Sequence, residues 1–401
     1  MNNFPAQFDK TGDLRMVSVI GASLTEFGRR KDGSSFRDWA ADAFESALSM
    51  SGLERSDIDL LACSSESDFF TFQLNPASVI AGDLGLTGAA SMRVEGGGAS
   101  GQLAVHSAVN AIRSGQAKRA AVVGFDPSAS QLSAAAVKEL YCLSFDAWTD
   151  GMTGTSSTVL YALSFQFFME TRGLDERHLA QVTIQNRDNA LSNAKAHLGR
   201  RHSAQEIYAS PIIASPYRRL HCSPLSDGAA AIILSERNSA PNQRRNAPRI
   251  VGIGASSDKP RLGARNAPGE FRSKTAAMKI ACASAGLTPA DIGLAEIYDA
   301  YAGAQLQAIE ALGFTDDIIC DLERDAFRPG GRLPVNLSGG LMGQGAPAGA
   351  IGVGQTANCA LFLEGLHYSE LQPASPPKYA LADTHGGVCT TSAVTILGVG
   401  L

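Results

Sequence analysis

Arg93-Val-Glu-Gly-Gly-Gly-Ala-Ser-Gly101 is the segment whose composition most clearly suits chemistry. It follows a strand-like stretch and opens a helix that the pattern carries to Ser114, with Gly115 as its stop. At a helix start the unpaired backbone N–H groups and the dipole favour negative charge, which suits a thiolate, an oxyanion or a phosphate. Gly96, Gly98 and Gly101 also satisfy G-x-G-x-x-G, with Asp126 after the next strand, the pattern of a dinucleotide cradle. Against a nucleotide, the loop belongs to an inner strand rather than to an opening βαβ unit, and no P-loop lysine follows. A functional loop and a tightly packed one both remain open. Ser100 offers a hydroxyl as a nucleophile, although a cap in the first turn suits its position better.

Such a loop needs rigid elements on both sides, and the chain supplies them twice. Val17-Ser-Val-Ile-Gly-Ala-Ser23 is echoed by Ile250-Val-Gly-Ile-Gly-Ala-Ser256, and Ser51-Gly-Leu-Glu-Arg-Ser-Asp-Ile58 by Ala285-Gly-Leu-Thr-Pro-Ala-Asp-Ile292. Lys118-Arg-Ala-Ala-Val-Val-Gly124 more loosely resembles Lys378-Tyr-Ala-Leu-Ala-Asp-Thr384. The order is kept and the first two pairs share a nearly constant offset, which points to a duplication. Each half alternates short apolar strands, such as Ala120-Ala-Val-Val-Gly124, with helices such as Phe36 to Met50 that carry apolar residues at 3–4 spacing. This predicts an α/β protein with mixed or parallel sheets covered by helices on both faces. The expected units are a first half over residues 1–125 plus 226–248, an inserted loop domain over 126–225, and a second half over 249–401. Asp227-Gly-Ala-Ala-Ala-Ile-Ile-Leu234 is read as a strand rejoining the first sheet, and polar Ser235 to Arg249 as the linker.

With 44% hydrophobic and 18% charged residues over 401 positions, the chain has a globular balance and the length for two cores. A net charge of −5 sets up no basic field, so no nucleic acid or anionic lipid partner is expected. Met1 to Arg15 is polar and mixed in charge, unlike a signal peptide. No apolar run approaches the roughly 20 residues that span a bilayer. Seven cysteines scattered singly form neither a disulfide framework nor a CxxC pair. The expectation is a cytoplasmic protein with no membrane contact, no metal and no tightly bound cofactor.

Val94-Glu-Gly-Gly-Gly-Ala-Ser-Gly101, with the alanine-rich helix and Ser114-Gly115, resembles the thiolase loop V-E-x-x-C-A-S-G. Similar matches are Asn186-Arg-Asp-Asn-Ala190 with Asn193, Pro216 to Ala230, Glu296-Ile-Tyr-Asp-Ala-Tyr301 and Leu333-Pro-Val-Asn-Leu-Ser-Gly-Gly340. On these, the chain is identified as a member of the thiolase superfamily, near the sterol carrier protein x and lipid-transfer-protein thiolases. The resemblance implies the thiolase fold: two duplicated βαβαβαββ halves in a five-layered αβαβα arrangement. It also displaces the dinucleotide reading.

Departures from the family carry the functional content. Gly98 stands where the family places its acylated cysteine, so no covalent acyl-enzyme is expected there. With Gly97 and Ser100, it is expected to border the substrate. In the oxyanion loop the chain has Tyr298-Asp-Ala-Tyr301. The Tyr298 phenol can donate to a thioester oxygen or, with a lowered pKa, exchange a proton. Asp299 is read as orienting the loop and Tyr301 as lining it. In the third loop, Ala346 stands at the family's base histidine, with Gln344 nearby. The last loop, Asp383-Thr-His-Gly-Gly-Val-Cys389, offers Asp383, His385 and Cys389 as acid–base candidates. His385 reads equally as a loop hydrogen bonder, whereas Cys389 reads more readily as a small buried residue.

Thiolysis needs a thiolate, a base and an oxyanion hole, and the first two are missing. A site for a coenzyme A thioester that stabilises an enolate suffices for retro-aldol cleavage of a β-hydroxyacyl-CoA. The resemblance extends to cysteine-less bacterial steroid side-chain aldolases. It implies acyl-CoA as substrate, a role in lipid or steroid degradation, a homodimer, and a small zinc-ribbon and OB-fold partner. Two alternatives are carried: a condensing acyltransferase with a relocated cysteine, and a non-catalytic acyl-CoA or lipid-binding scaffold.

Overall fold

The computed structural model describes residues 15–30, 32–237 and 246–400. Its strands are β1 (Val17–Leu24), β2 (Leu60–Ser64), β3 (Ala90–Val94), β4 (Arg119–Pro127), β5 (Ile212–Ala214), β6 (Tyr217–Arg218), β7 (Asp227–Glu236), β8 (Arg249–Ser257), β9 (Leu294–Glu296), β10 (Tyr379–Gly386) and β11 (Thr391–Gly398). Nine of them join in the order β3-β2-β4-β7-β1-β8-β11-β10-β9. The first five belong to one half and the last four to the other. The halves meet where β1 pairs antiparallel with β8, through Val17 with Ile250 and Ser18 with Arg249.

The repeated sequence segments become equivalent elements. β2 lies parallel to β4, and β9 parallel to β10. β7 runs antiparallel to β1, and β11 antiparallel to β8. The counterpart of β3 is reduced to one parallel bridge between Ala295 and Val335. Each half's first long helix, Phe36–Ser51 or Arg272–Ala285, ends on a left-handed glycine, Gly52 at φ +69° or Gly286 at φ +66°.

Burial explains the layers. β1 is buried along its whole length, and β4 and β7 nearly so, which requires cover on both faces. On one outer face Trp39, Phe44 and Ile80 pack against Leu61 and Ile233. On the other, Met278, Ala281, Leu306 and Ile309 pack against Leu381 and Val394. Between the sheets lie the helices Ser100–Arg113 and Ala348–Glu364. Ala348 through Leu363 are all buried, as a central layer demands. The two helices touch at Gly101 and Gly352, where a Cβ on Gly101 would stand 2.8 Å from the Gly352 Cα. That approach gives a packing reason for Gly101. The five-layered αβαβα thiolase arrangement is present.

Between β4 and β7 the chain makes a helical excursion that includes Ser157–Arg172 and Glu176–Leu191. Tyr161, Phe165 and Phe168 from this excursion share one core with Phe271 and Leu306 of the second half. Arg172 grips Glu310 with two bonds of 2.7 and 2.6 Å. Of the linker read over Ser235 to Arg249, Ser235 and Glu236 complete β7 and Arg249 opens β8, because strand pairing extends to them. Residues 238–245 and the polar stretch 1–14 lie outside the described residues. No helix among the described residues is long and apolar enough to cross a membrane.

Candidate active site

Four loops converge on one cavity of about 620 Å³. Gly98 comes from the start of the first central helix, Tyr298 and Tyr301 from the loop after β9, Leu341 and Ala346 from the loop before the second central helix, and Gly387 from the turn after β10. The excursion closes it with Tyr141, Phe145 and Tyr161. A mostly apolar wall with a few polar groups, at this volume, suits a small-molecule site. A neighbouring opening of about 390 Å³, bordered by Gly96, Gly97 and Gly386, shares Glu66 and Tyr141 with the cavity.

The relation between Gly98 and Tyr298 organises the centre. A Cβ on Gly98 would stand 2.5 Å from the Tyr298 hydroxyl and 2.5 Å from the His385 carbonyl oxygen. Real side chains do not tolerate such distances, so the phenol and the His385 carbonyl together fill the space a side chain at 98 would need. Gly97 adopts φ +58°, which glycine supplies without strain. Ser100 is buried, its hydroxyl donating to the Gly97 carbonyl at 2.7 Å and accepting from the Gly96 N–H at 2.9 Å. Its oxygen is thereby spent on fastening the loop.

Tyr298 is held by its own backbone and by its ring. The Ile297 N–H donates to Asn336 Oδ1 at 2.7 Å, and the Tyr298 N–H to Asp383 Oδ2 at 3.4 Å. The ring lies 4.4 Å from the His385 imidazole, tilted by 52°. Burial, reinforced by the nearby Glu66, pushes the phenol well above its ordinary value. Tyr298 is therefore a hydrogen-bond donor; the reading in which its pKa falls does not hold.

His385 is buried, with Nε2 2.8 Å from the Tyr161 hydroxyl. Tyr161 donates its single proton to the Gly387 carbonyl, so Nε2 carries hydrogen and donates to the phenol oxygen. Nδ1 finds no hydrogen-bond partner among the described residues. Burial, with Lys274 and Arg265 adding to it, drives the imidazole far below its usual range. A neutral ring wedged between Tyr298 and Tyr161 positions both.

The two aspartates are structural in their surroundings. Asp299 accepts from the Leu341 N–H at 2.6 Å, the Met342 N–H at 3.2 Å and Asn186 Nδ2 at 2.7 Å, tying three segments together. Burial pushes its carboxyl up to about 8 against these bonds. Asp383 forms an ion pair with Lys274, both fully buried, and does not border the cavity. Cys389, at φ +51°, lies 3.2 Å from the Ser392 hydroxyl and 3.4 Å from that of Ser273, also away from the cavity. Burial raises its thiol. Gln344 turns into the central layer, where its Oε1 accepts from Asn358 at 2.9 Å. Ala346 lines the cavity in an apolar patch with Tyr298, Leu341 and Ile351. Tyr301 stacks on Tyr217 at 5.1 Å, with its hydroxyl 2.8 Å from that of Thr158.

The cavity also gathers residues that the sequence did not single out. Tyr141 and Tyr161 arrive from the excursion, and Cys222, its thiol pushed up to about 12 by burial, from the loop before β7. Glu66 stands two residues beyond β2, at the carboxyl end of a strand, where open α/β sheets bind ligands. That position is the one signal that could have found it.

Residues 17–199 match the family model "Thiolase, N-terminal domain", and 254–399 match "Thiolase C-terminal domain-like". The acetyl-CoA acetyltransferase of Methanothermobacter thermautotrophicus is 32% identical over 88% of this chain and 92% of its own length. The 17-hydroxy-3-oxo-4-pregnene-20-carboxyl-CoA lyase of Mycobacterium tuberculosis is 25% identical over 94% of this chain and 98% of its own. Among solved structures, the Ltp2-ChsH2(DUF35) aldolase aligns with a TM-score of 0.82 at 24% identity, over 96% of this chain and 98% of that one. Its likeness speaks for the fold. With four family loops meeting at one cavity and a relative matched at 32% over nearly its full length, the chain belongs to the thiolase family of enzymes acting on coenzyme A thioesters.

Proposed function

We propose that the protein is a thiolase-like lyase that cleaves the Cα–Cβ bond of a β-hydroxyacyl-CoA by retro-aldol chemistry. The observation that carries this reading is the Tyr298 hydroxyl 2.5 Å from where a Cβ at 98 would stand. The nucleophile's place is taken by a fixed donor, which suits an enolate oxygen better than an acyl transfer. The lyase relative and the aldolase neighbour support the reaction class. The apolar cavity suits a bulky acyl group such as a steroid or lipid side chain. The test is incubation with panels of β-hydroxyacyl-CoAs and β-ketoacyl-CoAs, with products read by mass spectrometry. Cleavage confined to the hydroxy panel is expected, with no acetoacetyl-CoA thiolysis. An acylated peptide from residues 96–101 would overturn the reading.

A second reading, a condensing acyltransferase, draws on the 32% identical acetyltransferase and on Cys222 in the cavity wall. Its mark would be an acyl adduct on Cys222 and loss of activity in Cys222→Ser. The raised thiol disfavours it.

The assembly we infer is a homodimer joined through β3, which ends the sheet with Ala90, Ser91 and Met92 exposed. An unpaired edge strand of this kind invites a second copy. Light scattering showing a stable monomer at micromolar concentration would count against it. A small zinc-ribbon and OB-fold partner is part of the same proposal, supported by the DUF35 component of the aldolase neighbour. The exposed Phe69 and Leu143 beside the smaller opening give it an apolar rim to cover.

A further inference from the structure

Retro-aldol cleavage moves one proton twice, off the β-hydroxyl and onto the α-carbon, and the donor Tyr298 does neither. The surroundings of the cavity narrow the choice. Asp299 uses its oxygens on backbone and amide donors, and Asp383 is locked to Lys274. His385 is neutral and already bound to Tyr161. The phenols of Tyr141, Tyr161, Tyr298 and Tyr301 are all driven upward by burial.

Glu66 differs from each of these. It lines the cavity together with Gly98 and Tyr298. Its backbone N–H donates to Asp126 Oδ2 at 3.2 Å, and the same oxygen accepts from the Gly349 N–H at 2.9 Å, so the segment is pinned to the second central helix. Tyr141 donates to Glu66 Oε2 at 2.7 Å. Oε1 carries no hydrogen bond among the described residues. One oxygen is thus fixed and the other is available to a ligand.

We propose that Glu66 is the proton-transfer residue of this site, an inference that rests on the lyase reading above. As a carboxylate it takes the β-hydroxyl proton. The O–H electron pair becomes the new carbonyl π bond, and the Cα–Cβ pair passes into the enolate, whose oxygen Tyr298 holds. Glu66, now a carboxylic acid, returns the proton to the α-carbon. The products are an acyl-CoA and an aldehyde or ketone, with no other reactant required. Burial pushes the Glu66 carboxyl up to about 8, with Asp126 and Glu95 adding to it and the Tyr141 bond opposing. Both protonation states are therefore accessible near neutral pH, which is where an acid–base group works best.

The experiment uses the purified full chain and two readouts. These are cleavage of a β-hydroxyacyl-CoA, and exchange of the α-hydrogens of the product acyl-CoA in D₂O. Glu66→Gln should lose on the order of 10²-fold or more in both, with Glu66→Asp retaining more of each. Tyr141→Phe removes a bond to the charged form, so the Glu66 pKa rises and the ascending limb of kcat/KM moves to higher pH. Glu66→Gln within a few-fold of the parent in cleavage overturns the assignment and leaves the lyase reading intact. A parent that exchanges α-hydrogens without cleaving overturns the lyase reading, and Glu66 stands if Glu66→Gln abolishes that exchange. A parent that does neither, alone and with its small partner supplied, overturns both.

Discussion

The helix starts and the strand ends of this site have opposite characters. Both central helices begin at the cavity, one at Gly98 and the other near Ala346 and Ala348, and neither brings a side chain that can accept or attack. The strands β2 and β9 hold equivalent places in the two halves, and two residues beyond each stands a polar group, Glu66 or Tyr298. A helix start stabilises an anion through its backbone, which suits a thiolate. A strand end projects a side chain whose reach and partner set its proton behaviour. The difference teaches that Gly98 and Tyr298 are matched to each other across the site. The Tyr298 hydroxyl and the His385 carbonyl oxygen each stand 2.5 Å from where a Cβ at 98 would be, so the packing around Tyr298 leaves no room for a side chain there.

The largest effect should come from the support beneath the strand end. Lys274→Met leaves Asp383 charged and buried without its partner, and should remove about 3–5 kcal/mol of unfolding free energy. Denaturant titration measures it, and adding Asp383→Asn should recover much of the loss. A small effect would mean that the pair is not what steadies Tyr298.

Next comes Tyr298→Phe, which keeps the ring against His385 and removes only the hydroxyl. Turnover should fall on the order of 10²-fold, about 2.7 kcal/mol of transition-state stabilisation. Near-normal turnover would break the assignment of the strand end as the working side of the site.

A double-mutant cycle sharpens the exclusion itself. Gly98→Ala should destabilise the protein less in a Tyr298→Phe background than alone, because the hydroxyl is one of two atoms at 2.5 Å. The coupling should be about 1 kcal/mol, read by thermal unfolding. Additive costs would show that the His385 carbonyl alone bars the position. The smallest effect should be that of Cys389→Ala. Its thiol lies outside the cavity, so turnover should stay within about twofold while stability drops by about 1 kcal/mol.

The sequence by itself determined the duplication, the α/β layers and the four loops. Repeated strand and helix segments recur in the same order, the first two at a nearly constant offset, and their periodicity is local. It also determined that position 98 has no side chain and that Tyr298 stands in the loop after the strand at 294–296. The fate of the other loop residues was decided only by the tertiary structure. Asp383, Cys389 and Gln344 all stand in the site loops of the sequence, yet each is turned away by a buried partner, Lys274, Ser392 or Asn358. Glu66 and Tyr141 lie 75 positions apart, and His385 and Tyr161 224 apart, so no local pattern pairs them. A side chain at a strand end points according to what packs behind it, and at this site that packing comes from the opposite half and from the excursion.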